Sequence, residues 1–167
     1  PKPLLKTLVA FANTAGGRLI VGVADDHQVL GVANALDEEE RLCNLIADGI
    51  SPRLVPSVEM TTVDGKTLLV VEVFVSGSRP HWLKAEGPEH GVYVRLGSSS
   101  RQADHALIDE LRRTAEGVAF DELPMPDLGM ADLDMAAAKR LFHGISELDD
   151  QAMRTLKLVT PYQGRLV

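Results

Sequence analysis

Aromatic residues are scarce in this chain, at 4% of 167 residues with a single tryptophan. Any core must therefore be built from Leu, Val, Ile and Ala, which an apolar content of 45% supplies at the level of an ordinary globular protein. Cysteine is nearly absent. The lone Cys43 excludes an internal disulfide and suits a reducing cytoplasm; beside Leu42 it reads as a small buried hydrophobe. No apolar run approaches the ~18 residues that cross a bilayer and no signal-peptide pattern is present, so no membrane partner is expected. Positive charge is in deficit as well: 17 Lys and Arg against 24 Asp and Glu give a net charge of −7. That argues against a body coated in nucleic acid while leaving room for a local basic site. The five histidines, His27, His81, His90, His105 and His143, share no ligand-like spacing, so no structural zinc site is expected. No Ser-His-Asp or Cys-His arrangement follows from spacing, and there is no internal repeat or low-complexity tract.

What is present is ordered from the start. Leu4, Leu5, Leu8, Phe11 and Ala12 recur at helical spacing and give a first helix one buried face. Asn13-Thr14-Ala15-Gly16-Gly17 ends it, since glycine accepts a left-handed cap. Leu19 to Val23, with Gly22 inside it, reads as a strand buried on both faces. Gln28 to Val32 then pairs back across an Asp25-Asp26 turn. Asp37 with Glu40 makes a capping-box-like start to a second helix whose inner stripe is Leu42, Leu45 and Ile46, closed by Gly49. Val58–Thr62 and Thr67–Val75 flank Asp64-Gly65, the strongest short hairpin signal. Residues 76–91 read as a long loop. Gly91 to Leu96 alternates as a strand with Tyr93 and Arg95 on one face, and Gly97-Ser98-Ser99-Ser100-Arg101 reads as a loop. Asp104 then caps a helix burying Leu107, Ile108, Leu111 and Ala115.

Residues 120–131 hold two prolines in three positions, Pro124 and Pro126, and read as a linker. Beyond it, two short helices near Met135–Ile145 and Asp149–Thr160, capped by Asp134 and Asp149, bury Leu141, Phe142, Met153, Leu156 and Val159. The chain opens two residues before an apolar helix and stops at Gly-Arg-Leu-Val, which reads like the start of a strand; a fragment of a longer protein is the expectation. The fold class is α+β: a mixed, mainly antiparallel sheet of five to six strands covered by about three helices over residues 1–119, a linker over 120–131, and a helical appendage over 132–167 leading to a further C-terminal region.

Several segments carry two readings each. Gly16-Gly17 either lets a phosphate approach the backbone or simply ends a helix and feeds a strand; the pair follows a helix, the reverse of the strand–loop–helix order of phosphate-binding folds. Asn13 caps the helix or touches a ligand. Arg95, Ser98, Ser99, Ser100 and Arg101 form the best anion-binding candidate, offering two guanidiniums, short hydroxyls and loop amides, against which stands an ordinary surface loop with Asp104 beside it. Lys84, Arg18 and Arg79 extend that patch if the fold brings them to the same side. Trp82 either stacks on a base or anchors its loop to the core edge. Glu38-Glu39-Glu40 suits the first turn of a helix.

Ala-Phe-Ala-Asn-Thr-Ala-Gly-Gly followed by Ile-Val-Gly-Val-Ala-Asp-Asp, and later Gly-Val-Tyr-Val-Arg-Leu-Gly-Ser-Ser-Ser-Arg-Gln-Ala, resembles the Schlafen AlbA-like domain over residues 4 to about 117. The resemblance implies a DNA-binding module of bacterial transcriptional regulators or of proteins likened to RecG helicases. It also implies a following ATPase-like and winged-helix region, to which the tail through Leu156-Lys157-Leu158 and Gly164-Arg165-Leu166 would lead. In eukaryotic Schlafen proteins a metal-dependent ribonuclease site joins two glutamates upstream of the first helix to an aspartate near the hairpin tip. Here Asp25, or by a shifted alignment Asp26, matches that aspartate, and the upstream glutamates are missing from the sequence. Three carboxylates on one divalent cation are the minimum for such hydrolysis. The leading expectation is thus a non-catalytic, nucleic-acid-binding regulatory module, for DNA or RNA, with no cofactor. The alternatives are the remnant of a Mg- or Mn-dependent endoribonuclease, and a protein-interaction or homodimerisation module.

Overall fold

The computed structural model describes residues 2–117, 123–144 and 147–167. The chain forms two compact units, Pro1–Gly117 and Val118–Val167. In the first, α1 (Lys2–Asn13) buries Leu5, Leu8, Val9, Phe11 and Ala12. α2 (Ala35–Gly49) contributes Leu42 and Ile46. Both helices cover one face of a sheet ordered β1-β4-β3, all antiparallel, with β1 at Gly17–Val21, β3 at Ser57–Val63 and β4 at Lys66–Val73. Leu69, Val71 and Val73 line the covered face and are at most 2% exposed. Full burial of a leucine such as Leu8 contributes about 1.5–3 kcal/mol. The β3–β4 turn is Asp64-Gly65 with φ of 51° and 73°, the double left-handed conformation that a two-residue hairpin requires.

Between and after these elements run β2 (Ile50–Ser51), β5 (Trp82–Leu83), the single-turn α3 (Gly87–His90), β6 (Tyr93–Leu96), β7 (Ser99–Gln102) and α4 (His105–Glu116). β2 pairs with β5, and Trp82 bridges to Val92. The β6–β7 hairpin has different neighbours on its two faces. Tyr93 joins the α1 core, whereas Val94 packs with Val92, Ala103, Ile108, Leu111, Leu107 and Trp82 in a second cluster built on α4. Asp104 accepts the Leu107 amide and caps α4 as its sequence predicts.

The α+β class stands, yet the strands are shared among a three-stranded sheet and two-stranded ladders rather than gathered into one sheet of five or six. β1 is buried on one face only: Ile20 is 53% exposed, because both helices lie on the opposite side. Gly22, at φ 104°, turns the chain out of the strand. The return across Asp25-Asp26 is a single Val23–Val29 bridge with Leu30 and Gly31 amides on the Gly22 carbonyl, not a ladder. α2 begins earlier than its capping-box pattern implies, since Asn34 accepts the Asp37 amide as N-cap and places Asp37 inside the first turn. Leu42 and Ile46 set the phase of that helix, which rotates Cys43 out to solvent rather than into the core. Residues 76–91 contain β5 and α3, and the Gly97–Arg101 loop narrows to a tight turn because β7 starts at Ser99.

In the second unit, α5 (Met135–Leu141) and α6 (Asp150–Thr155) are capped by Asp134 and Asp149, and β8 (Pro161–Tyr162) pairs with β9 (Arg165–Leu166). Both helices are shorter than their sequence patterns. Leu141 is 74% exposed instead of buried, while Met153 and Val159 are buried. The expected end at Ile145 and the Phe120–Glu122 part of the predicted linker lie outside the described residues. Leu123, Met125, Leu128 and Gly129 line a cavity of about 460 Å3 within this unit.

Asn13, 2% exposed, holds the first unit together at the end of α1. Its Nδ2 donates to the carbonyls of His81 and Tyr93, each at 2.9 Å, and its Oδ1 accepts the His81 amide at 2.7 Å. Asn13→Leu keeps the volume and strands three buried backbone groups, so it should cost about 3 kcal/mol or more. Urea denaturation of the two proteins measures this as a lower midpoint at unchanged m-value.

Candidate nucleic-acid interface

Around Asn13 the family-like motif proves to be a packing junction. The Gly16 amide donates to the Phe11 carbonyl at 2.9 Å, and Gly16 sits at φ 75° where a Cβ would lie 2.7 Å from the Val73 carbonyl oxygen. A Cβ on Gly17 would meet the Phe11 ring at 2.7 Å. The two glycines thus let α1 turn directly into β1 beneath β4. Gly22 is similarly confined by Leu68 and Gly31. Thr14 continues the junction, its Oγ1 accepting the Arg95 amide at 2.8 Å.

His81 completes it. The ring is fully buried, with Nδ1 2.9 Å from the Pro52 carbonyl and Nε2 2.6 Å from Ser76 Oγ. A carbonyl only accepts, so Nδ1 carries the proton and Nε2 accepts the Ser76 hydroxyl. Ser76 in turn accepts the Ser78 amide and donates its own amide to the Ala12 carbonyl. Trp82, the next residue, packs into the α4 cluster as an anchor of this segment.

The cations fall into separate places. Tyr93, Arg95, Ser100 and Gln102 share the hairpin face turned toward α1, whereas Val94, Leu96, Ser99 and Arg101 share the other, because the register pairs Arg95 with Ser100 and Val94 with Arg101. Arg95 and Arg101 are therefore not gathered into one pocket. Arg95 is half-buried, stacked over the Phe11 ring at 5.5 Å with Nη1 3.4 Å from Ser100 Oγ; Arg101 is exposed on the opposite side. Ser98 is exposed in the turn, and the Ser99 hydroxyl donates to the Leu96 carbonyl. Lys84 caps the end of α2, its Nζ donating to the Ala47 carbonyl at 2.9 Å. Arg18 pairs with Glu72 at 2.8 Å, and the Nε of Arg79 is buried without a hydrogen-bond partner. Asp25 and Asp26 are both exposed, and Asp26 accepts the Gln28 amide as a turn residue. Among the described residues no group of three or more His, Cys, Asp or Glu side chains is placed to hold a metal ion, and no helix is long and apolar enough to cross a membrane.

Two lysines join Arg95 that its own strand does not announce. Lys6, on α1, lies over the Tyr93 ring at 4.6 Å. One turn earlier Lys2 pairs with Glu86 at 2.6 Å, and Glu86 also accepts the Tyr93 hydroxyl at 2.7 Å. The hydrogen bond from Lys2, then that from Tyr93, holds the Glu86 carboxyl below its ordinary range. Glu86 thus neutralises Lys2 and also feels the charge of Lys6, while among the described residues Lys6 and Arg95 each rest on an aromatic face without a direct ion pair, the geometry of a cation–π contact. The signal available in the sequence was the Lys2/Lys6 pair at i, i+4 on the polar side of α1.

The chain belongs to the Schlafen AlbA_2 family, whose family model matches residues 1–104. Among solved structures it is similar to the N-terminal domain of a protein from Nitrosomonas europaea described as related to the ATP-dependent DNA helicase RecG. Identity there is 30%, with 62% of this chain and 76% of that one covered and a TM-score of 0.46. It is also similar to the DIP2311 protein of Corynebacterium diphtheriae, at 25% identity and a TM-score of 0.53, covering 90% of this chain and 30% of that one. The chain therefore spans less than a third of DIP2311. No curated protein matches it.

Burial pushes the His81 pKa below 6.5, against a smaller opposing effect of the Pro52 carbonyl. The unfolded chain then binds the proton that the native ring refuses, so the contribution is fully present above pH 6.5 and is lost as pH falls below it toward the folded pKa. Stability from chemical denaturation should decline as pH falls from 7 toward 5, and His81→Gln should flatten that part of the profile; an identical slope in the variant would remove His81 as its source.

Proposed function

We propose that this domain is a nucleic-acid-binding module that grips backbone phosphates along the α1–β6 face, acting in regulation rather than catalysis. The observation that carries this reading is the pair of cations, Lys6 and Arg95, held on the rings of Tyr93 and Phe11 along one side of the hairpin. Membership of the Schlafen AlbA_2 family supports it. Partial burial against an aromatic ring reduces the rotamer freedom lost on binding and leaves guanidinium donors for a phosphate. Ser100, beside Arg95, adds a short hydroxyl, and Lys2 extends the row when a phosphate displaces Glu86. Arg101 and Ser99, with Ser98 in the turn, make a secondary contact on the other face; Lys84 serves α2. Contacts of this kind position a backbone without reading bases, so sequence preference should be low.

Fluorescence anisotropy with labelled single- and double-stranded DNA and RNA tests the reading. Affinity should be micromolar or weaker and fall with salt. Lys6→Ala and Arg95→Ala should each weaken binding about tenfold and lower the salt slope by about 1, while Arg101→Ala changes it less. No binding of any of these at low salt would end the reading, and an Arg101→Ala effect exceeding that of Arg95→Ala would move the interface to the other face.

A further inference from the structure

We propose that β3 pairs edge to edge with β3 of a second copy of this chain, antiparallel, about a dyad at Met60. In the order β1-β4-β3, β3 is bonded on one side only among the described residues. It is a regular strand, paired residue for residue with β4 from Ser57 to Val63 and exposed from Glu59 onward. Val63 and Lys66 close the two-residue turn and exchange both of their bonds, so Val63, Thr61, Glu59 and Ser57 bond to β4. Val58, Met60 and Thr62 consequently aim their amides and carbonyls at the open side. Exposed edges are ordinarily blunted by proline, lysine, a bulge or an inward charge. β3 holds none of these. The other edge, β1, has five residues and is ended by Gly22 at φ 104°, which makes it the poorer template.

The charge pattern selects a second copy as the occupant, and it selects the register. Centring the pair on Met60 sets Met60 opposite Met60 and Val58 opposite Thr62, so that every outward-bonding residue meets another. Glu59, the strand's sole charge, then faces Thr61, and Val63, 39% exposed, faces Ser57. Centring on Glu59 would oppose two carboxylates directly, and centring on Thr61 would shorten the overlap to Glu59–Val63. Met60 shares the helix-covered face with Leu69 and Val21 and is 42% exposed at the edge. Pairing brings the two methionines together beside that core and joins two three-stranded sheets into one continuous sheet.

Light scattering across a concentration series on the chain with Cys43→Ser should give a dimer that dissociates on dilution. Met60→Lys, which opposes two ammonium groups at the dyad, should raise the dissociation midpoint about tenfold or more. Met60→Pro, whose lost amide faces outward, should be monomeric with an unchanged circular-dichroism spectrum. Under mild oxidation Met60→Cys should cross-link as a dimer, since residues opposed in such a pair lie about 5.5 Å apart at Cα, within disulfide range. Val63→Cys, about 20 Å from its counterpart, should not. A chain monomeric at all concentrations, dimers that persist in both Met60→Lys and Met60→Pro, or equal cross-linking at positions 60 and 63 would overturn the proposal.

Discussion

The buried amide of Asn13 is the contact on which the first unit depends. A helix end must find partners for its last carbonyls, and a chain crossing over that end must find partners for its own backbone groups. One side chain with two donors and an acceptor answers the second need, joining the His81 backbone to the Tyr93 carbonyl across 68 and 80 residues of sequence. The consequences spread outward. Thr14 can then reach the Arg95 amide, Phe11 can lie under the Arg95 guanidinium, and the two glycines that follow can slip under β4. The His81 ring, locked between Pro52 and Ser76, fastens the segment from 76 to 83 that would otherwise cross the core as unpaired loop.

Local chemistry made a good part of this legible. The apolar stripe of α1, the Asp64-Gly65 turn and the caps Asp104, Asp134 and Asp149 depend on neighbours within a few residues, and the sequence displays them directly. Elements imposed by long-range partners were hidden. Ser99–Gln102 has no β-branched or aromatic residue, and it is a strand because β6 offers a ladder. Trp82–Leu83 is a strand because β2 does. The phase of α2 is set by Leu42 and Ile46, which is why adjacent Cys43 faces away. Burial of Leu19–Val23 on two faces failed for a related reason: composition reports that a strand is apolar, not how many layers cover it.

The basic site follows the same division. Arg95 and Arg101 are six residues apart in sequence, and a loop between them would allow convergence. A hairpin register with strict alternation sends them to opposite faces. Lys2 and Lys6 stand in no motif that the sequence singles out, and only the packing of α1 on β6 shows that their side of the helix adjoins Arg95. His81 reads in the sequence only as a histidine without ligand-like spacing; its partners are a backbone carbonyl and a hydroxyl, neither of which leaves a mark in residue spacing.

Net charge sets a limit on how such a site can work. A body carrying −7 repels a polyanion within about a Debye length, and over a longer range at low salt, so a handful of cations must act at contact range. On the proposed function, two cations would release few counterions, which would give a shallow salt slope and modest affinity. Duplicating the row by a two-fold axis changes the arithmetic without changing the site. The second copy's row binds at an effective concentration set by the assembly's geometry, and avidity rises by orders of magnitude where both rows can reach one strand or duplex. An exposed strand edge and a weak phosphate grip are each a liability when considered alone. In the proposed symmetric assembly, the first would supply the valency that the second lacks.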